Sequence, residues 1–242
     1  MHRIVRRSLI VLPLVLVLAG CGRHDETPAP PTGAGPAQRA PQAAAGTGEP
    51  VTGLQTFVIV PEQSKASYLA DEEFFAGALK KLGIAAGQNK VVGSTQAIEG
   101  HFHFNPDKPT AAFGGNAFVV RMNTFTTTQS MRDHWIREDG PRFNDYPLAT
   151  FTATAIEDGS SAYHAGDEFT FKLAGDLTIR EITQPVTFDV KARLAGDTLT
   201  GVATTRLLMS AFGIEPLTFA NTLTVADEFG IELQFTTRAQ TQ

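Results

Sequence analysis

The stretch Glu168–Leu194, EFTFKLAGDLTIREITQPVTFDVKARL, decides how the rest of the chain is read. Phe169, Phe171, Leu173, Leu177 and Ile179 are apolar at every second position, with Gly175 in the same phase. After a turn, Val186, Phe188, Val190, Ala192 and Leu194 repeat the pattern. A period of two gives a strand one apolar side and one polar side. The stretch therefore predicts a hairpin with a single greasy face. That face either fills a core or surrounds a space that holds something.

The same signal recurs on both sides of the hairpin. Upstream, Thr56–Val60, Lys65–Leu69, Val91–Asn105, Ala117–Thr124 and Ala149–Glu157 read as strands. Ile98, Phe102 and Phe104 share one side, with Gly93 and Gly100 as expected bends or bulges. Phe118, Val120 and Met122 fall together, as do Phe151, Ala153 and Ala155. Downstream, Asp197–Met209 and Thr224–Thr237 complete the series, the last with Val225, Phe229, Ile231, Leu233 and Phe235 in phase.

Two short helices are expected between strands. Glu73–Leu82 has Asp71, Glu72 and Glu73 at its start, Lys80 and Lys81 at its end and Gly83 as a stop, which suits a helix dipole. Thr128–Glu138 ends at Gly140-Pro141 and places Met131 and Trp135 on one face. The fold class is all-β, and the pattern leaves a sandwich or a closed barrel open.

Residues 1–21 read as an export signal. His2, Arg3, Arg6 and Arg7 precede an apolar run, Leu9–Leu18, that contains Pro13 and is too short to span a bilayer. Leu18-Ala19-Gly20-Cys21 resembles the lipobox of bacterial lipoproteins, which makes Cys21 the expected lipidation site and the membrane an expected partner. Cys21 is the chain's only cysteine, so no intramolecular disulfide can form. Each buried acyl CH₂ contributes about 0.8 kcal/mol, so several chains hold a protein on a bilayer. Gly22 stands where an inner-membrane retention signal often has Asp, which leans the expectation towards the outer membrane facing the periplasm.

Residues 22–53 carry six prolines and no aromatic residue, the composition of a disordered tether. A flexible chain of that size reaches roughly 30 Å. All 21 aromatic residues lie from Phe57 onward, so 54–242 is the folded domain. That span holds 15 Lys and Arg against 22 Asp and Glu, a balance of −7. An acidic domain without a basic run excludes nucleic acid as a partner.

Two motifs narrow the architecture. GDLTIREITQPVTF (Gly175–Phe188) and RDHWIREDGPRFNDYPLATFTAT (Arg132–Thr154) resemble, in order and spacing, the YceI-like family of periplasmic polyisoprenoid-binding proteins. The resemblance extends over most of Thr56–Arg238. It implies an eight-stranded antiparallel lipocalin-like β-barrel holding a prenyl chain, as in quinones or polyprenyl phosphates. It also implies a homodimer, since relatives are often dimers. The chain departs from the family pattern at Glu181, where glycine is usual, and at Trp135, where histidine is common.

A prenyl chain offers no hydrogen bonds along its length, so its partner should be a wall of Phe, Leu, Val and Met. The expected lining is Phe102, Phe104, Phe118, Val120, Met122, Phe151, Phe169, Phe171, Phe188 and Phe235, with Arg132 and Trp135 at the mouth. No covalent cofactor is expected, only this non-covalent isoprenoid lipid. The competing reading is a structural or partner-binding lipoprotein with a filled barrel. A third reading is a metal enzyme using His101 and His103, with Asp107 as the nearest further ligand. Alternation favours the wet side of the strand for both histidines. Ser160-Ser161 lacks the spacing of a nucleophile elbow, and there is no phosphate-binding glycine loop. Nothing in the sequence points to catalysis.

Overall fold

The computed structural model describes residues 53–75, 87–105, 115–159, 166–219 and 223–240, except the side chains of Phe104 and Phe219. All of these lie within one compact unit, Gln42–Gln242. The expected signal, lipobox cysteine and tether lie outside the described residues, as do Asp107 and Ser160-Ser161.

Eleven strands follow in chain order: β1 (Gln55–Ile59), β2 (Lys65–Phe74), β3 (Gly87–Thr95), β4 (Ile98–Phe104), β5 (Ala117–Arg121), β6 (Leu148–Glu157), β7 (Glu168–Ile179), β8 (Ile182–Ala195), β9 (Thr198–Leu208), β10 (Thr218–Phe219) and β11 (Leu223–Ala239). Helix α1 (Ser130–Glu138) lies between β5 and β6. All strand pairings are antiparallel, and β11 meets β9 along one edge. Its other edge pairs first with β2 and then, through Phe57↔Ala239 and Ile59↔Thr237, with β1. The ring β1-β4-β5-β6-β7-β8-β9-β11 therefore closes on itself as an eight-stranded barrel. Closure leaves no free edge in the ring. Strands β2 and β3 extend the wall at the end that carries α1, where Ser94 bridges to Thr126.

The opening hairpin forms as its alternation predicts. Phe171 faces Val190 and Leu173 faces Phe188, all buried, while Lys172, Asp189 and Lys191 point out. Its turn has only two residues, Arg180 and Glu181, with φ of 49° and 66°. Two successive left-handed residues make a type I′ turn, whose twist matches that of the strands. Arg180 is held there by donating to the Gly213 carbonyl and by lying 5.1 Å from the centroid of the Tyr146 ring.

Three expectations need correction. The chain does not enter a helix at Glu73, because Asp71–Phe74 continue β2 in register with β3. The acidic run is not a helix start, since burial of Glu72 against a distant arginine outweighs the local signal. Residues 76–82 of that expected helix lie outside the described residues. Gly93 is no bend, since Tyr68↔Gly93 is in regular register and the break falls at Gln96-Ala97. Ala155 does not share the inner face of Phe151 and Ala153. A bulge after Ala153 shifts the phase, pairing Ile156 with the buried Leu173 and packing it on the core.

Candidate functional site

The barrel interior is hollow. A cavity of about 240 Å³ runs inside it, with a lining that is almost wholly apolar. Close-packed interiors hold few voids larger than a water molecule, and an apolar hollow of about 150 Å³ already accepts benzene. Along β11 the lining runs from Phe229 through Ile231, Leu233 and Phe235 to Thr237. At a rise of about 3.3 Å per residue that is roughly 26 Å of strand.

Ten of the twelve expected site residues meet at this cavity: Phe102, Phe118, Val120, Met122, Arg132, Trp135, Phe151, Phe171, Phe188 and Phe235. Phe169 does not line it. It is buried beyond the end of the lining on β7, stacked on Phe171 with ring centroids 5.7 Å apart. Together with the fully buried Phe57 and with Leu194 it belongs to the solid part of the core. Phe104 contributes its backbone to β4, and its side chain lies outside the described residues. Tyr68, Ile136, Phe143 and Ile214 also line the hollow and are not among the expected residues. Tyr68 was legible in phase with Ala66 and Ala70, but Phe143 and Ile214 sit on irregular segments with no period to read.

Glycines keep the centre open by letting rings lie against the wall. A β-carbon at Gly93 would sit 2.1 Å from Cε1 of Tyr68, and one at Gly100 would sit 2.8 Å from Cδ1 of Phe118. One at Gly175 or at Gly201 would sit 2.6 Å from Cζ of Phe151 or of Phe235. Each of these four glycines neighbours the strand that bears its ring. At Gly93 a side chain would force the ring to turn elsewhere, while at Gly100, Gly175 and Gly201 it would also press on a carbonyl oxygen of an adjacent strand, that of Ala117, Thr152 or Lys191.

Helix α1 is fixed at one end of the cavity by polar contacts. Arg137 donates from Nε to the Asn123 carbonyl and from Nη2 to the Phe125 carbonyl, each at 2.8 Å. The buried Asp133 accepts from the Thr127 amide at 2.8 Å and its hydroxyl at 2.7 Å. Arg132 grips Glu72 in two parallel bonds, Nε to Oε1 at 3.0 Å and Nη2 to Oε2 at 2.9 Å. Glu72 is only 5% exposed. Removing either partner of such a pair strands a charge. Trp135 on the same helix packs on the core and lies over Gly140.

Tyr68 is the one phenol of the lining among the described residues. Burial pushes its ionisation up to about 12; Arg132 works against this shift, while Asp133 and Glu72 add to it. Its hydroxyl is buried and has no hydrogen-bond partner among the described residues.

The histidine pair lies outside this cavity. His101 and His103 are half-buried rather than solvent-facing, with ring centroids 5.3 Å apart. Thr56 Oγ1 is 3.0 Å from His103 Nδ1. Burial, and then the neighbouring His101, hold the His103 imidazole below its usual range. Among the described residues no group of three or more His, Cys, Asp or Glu is placed to hold a metal ion.

Comparison with known proteins agrees with the architecture. The family described as the YceI-like domain matches residues 57–237. A UPF0312 protein of Shewanella baltica is 29% identical over 161 residues, covering 63% of this chain and 78% of that protein. Protein YceI of Shigella flexneri is 32% identical over 114 residues, 46% of this chain, and the match spans about half of that relative, 53%. Two solved structures share the fold. BcnA of Burkholderia cenocepacia superposes with a TM-score of 0.53 at 20% identity, covering 74% of this chain and 98% of that one. A polyisoprenoid binding domain from Saccharophagus degradans gives 0.53 at 9% identity, covering 77% and 99%. The family match over three quarters of the sequence, on a closed eight-stranded barrel, leads to one conclusion: the chain belongs to the YceI-like family.

Proposed function

We propose that the protein binds an apolar isoprenoid lipid, of the quinone or polyprenyl type, inside its barrel and carries it at a bacterial membrane. The single observation that carries this reading is the long apolar hollow, whose wall offers methyl, methylene and ring contacts to a chain without polar groups. Burying ten CH₂ equivalents yields on the order of 8 kcal/mol before ordering costs. Micromolar binding needs about that much, so a longer chain binds without help from its head. The solved domain described as polyisoprenoid binding has the same fold and supports the reading. The lipobox at Cys21 and the proline-rich segment after it support a lipid-anchored periplasmic protein whose domain can return to the membrane for its cargo.

Organic extraction of protein purified from bacterial membranes, followed by mass spectrometry, tests the proposal. The expected result is a prenyl lipid in stoichiometric amount. Its absence, together with no uptake of an added prenyl quinone, overturns the proposal.

A further inference from the structure

Among the described residues, the charged side chains that line the cavity are Arg132, Glu72 and Glu215. Arg132 is the only cation among these three, and each of its three nitrogens has an acceptor. Nε and Nη2 are taken by the two carboxylate oxygens of Glu72, and Nη1 lies 3.4 Å from the Thr127 hydroxyl. The pair is sheltered, with side-chain exposures of 19% for Arg132 and 7% for Glu72. Glu215, on the segment that follows the 3-10 turn Ser210–Phe212, adds a second carboxylate. Among the described residues the charged lining therefore carries one positive and two negative groups.

Among the described residues, a phosphate or carboxylate head entering this end meets no unpaired cation. It would have to displace Glu72 from Arg132, leaving that carboxylate buried and unpaired, or remain uncompensated itself. Both states are costly in an apolar surround. A carbonyl or hydroxyl head carries no charge and needs neither.

We propose that Glu72 makes the cavity selective for isoprenoids with uncharged heads, by pairing with the Arg132 guanidinium that would otherwise receive an anion. The inference rests on the isoprenoid reading above and deepens it. It separates two ligand types that the apolar wall alone does not distinguish, prenyl quinones or alcohols and prenyl phosphates. Glu72 acts as a specificity residue: its removal converts Arg132 from a sealed pair into an anion-binding group.

Geranylgeraniol and geranylgeranyl phosphate have the same tail and differ in head charge. Equilibrium binding of both to the wild-type protein and to Glu72→Gln, at fixed ionic strength, makes the test. Wild type is expected to favour the alcohol by at least about tenfold. In Glu72→Gln the preference should shrink by about tenfold or invert, through a gain in phosphate binding. The wild-type ratio needs no variant, so the inference can be judged even if Glu72→Gln folds poorly. Equal wild-type affinities overturn this inference alone and leave the isoprenoid reading standing. Unchanged phosphate binding in a folded Glu72→Gln protein also overturns it. Binding of neither lipid overturns the isoprenoid reading and the inference with it.

Discussion

The phenol ring of Tyr68 on β2 lies across Gly93 on β3, so close that a β-carbon at position 93 would sit 2.1 Å from the ring. The next two atoms such a carbon would meet, Cζ and the hydroxyl oxygen, belong to the same side chain. Position 93 is thus empty so that Tyr68 can lie on the wall. Gly93→Ala should push the ring into the hollow, costing roughly 1–3 kcal/mol in overpacking and lowering affinity for a prenyl quinone. Thermal unfolding and a binding titration on the same variant check both effects.

The Tyr68 hydroxyl gives a second expectation. With its ionisation pushed up to about 12 from an ordinary 10.0, the folded state favours the protonated phenol. Below pH 10 the group is protonated in both states and its contribution is fully present. Between pH 10 and about 12 only the unfolded chain releases the proton, so stability falls as pH rises through that window. Absorbance titration should show a late tyrosine ionisation, and Tyr68→Phe should abolish that late phase. Because the hydroxyl has no partner among the described residues, Tyr68→Phe should also stabilise the fold by about 1 kcal/mol.

Glu181 sits at φ 66° in the two-residue turn between β7 and β8. A left-handed conformation costs a residue with a β-carbon about 1 kcal/mol or more, and glycine nothing comparable. Glu181→Gly should raise the melting temperature by about 2–4 °C, read by calorimetry. Ligand affinity should be unchanged, because the residue is exposed and does not line the cavity.

Under the proposed function, lipid attachment at Cys21 is separable from cargo binding. Cys21→Ser should move the protein from the membrane fraction to the soluble periplasmic fraction, since the proposed anchor depends on the chain's single thiol. The released protein should still take up prenyl quinone. Fractionation with immunodetection reads the first outcome, and a binding assay on the released protein reads the second.

Much of this was legible in the sequence, and the exceptions have a common cause. The β7–β8 hairpin could be read residue by residue because its period-two pattern is local and unbroken from Phe169 to Leu194. The inner faces of β4, β5 and β11 followed from the same pattern, and with them most of the cavity wall. The length of β2 was not legible. Asp71, Glu72 and Glu73 carry the local signature of a helix start, and only the contact with Arg132, sixty positions away, explains why Glu72 is buried in a strand. Closure through β1 and β11 is likewise a pairing of the two ends of the domain. The bulge after Ala153 shows the same limit on a smaller scale. One unpaired residue exchanges Ala155 for Ile156, and the choice is set by the register of β7 rather than by β6 itself.

The central claim is that the hollow receives a prenyl chain, and the chain carries its own reporter. Trp135 is the only tryptophan, and it lines the cavity. Titration with a prenyl quinone, a strong quencher at short range, should reduce its fluorescence with saturation at micromolar concentration. The same quinone without its tail should quench only weakly and without saturation. Equal, linear quenching by both compounds would contradict the account, because it would mean that the tail finds no room inside the barrel.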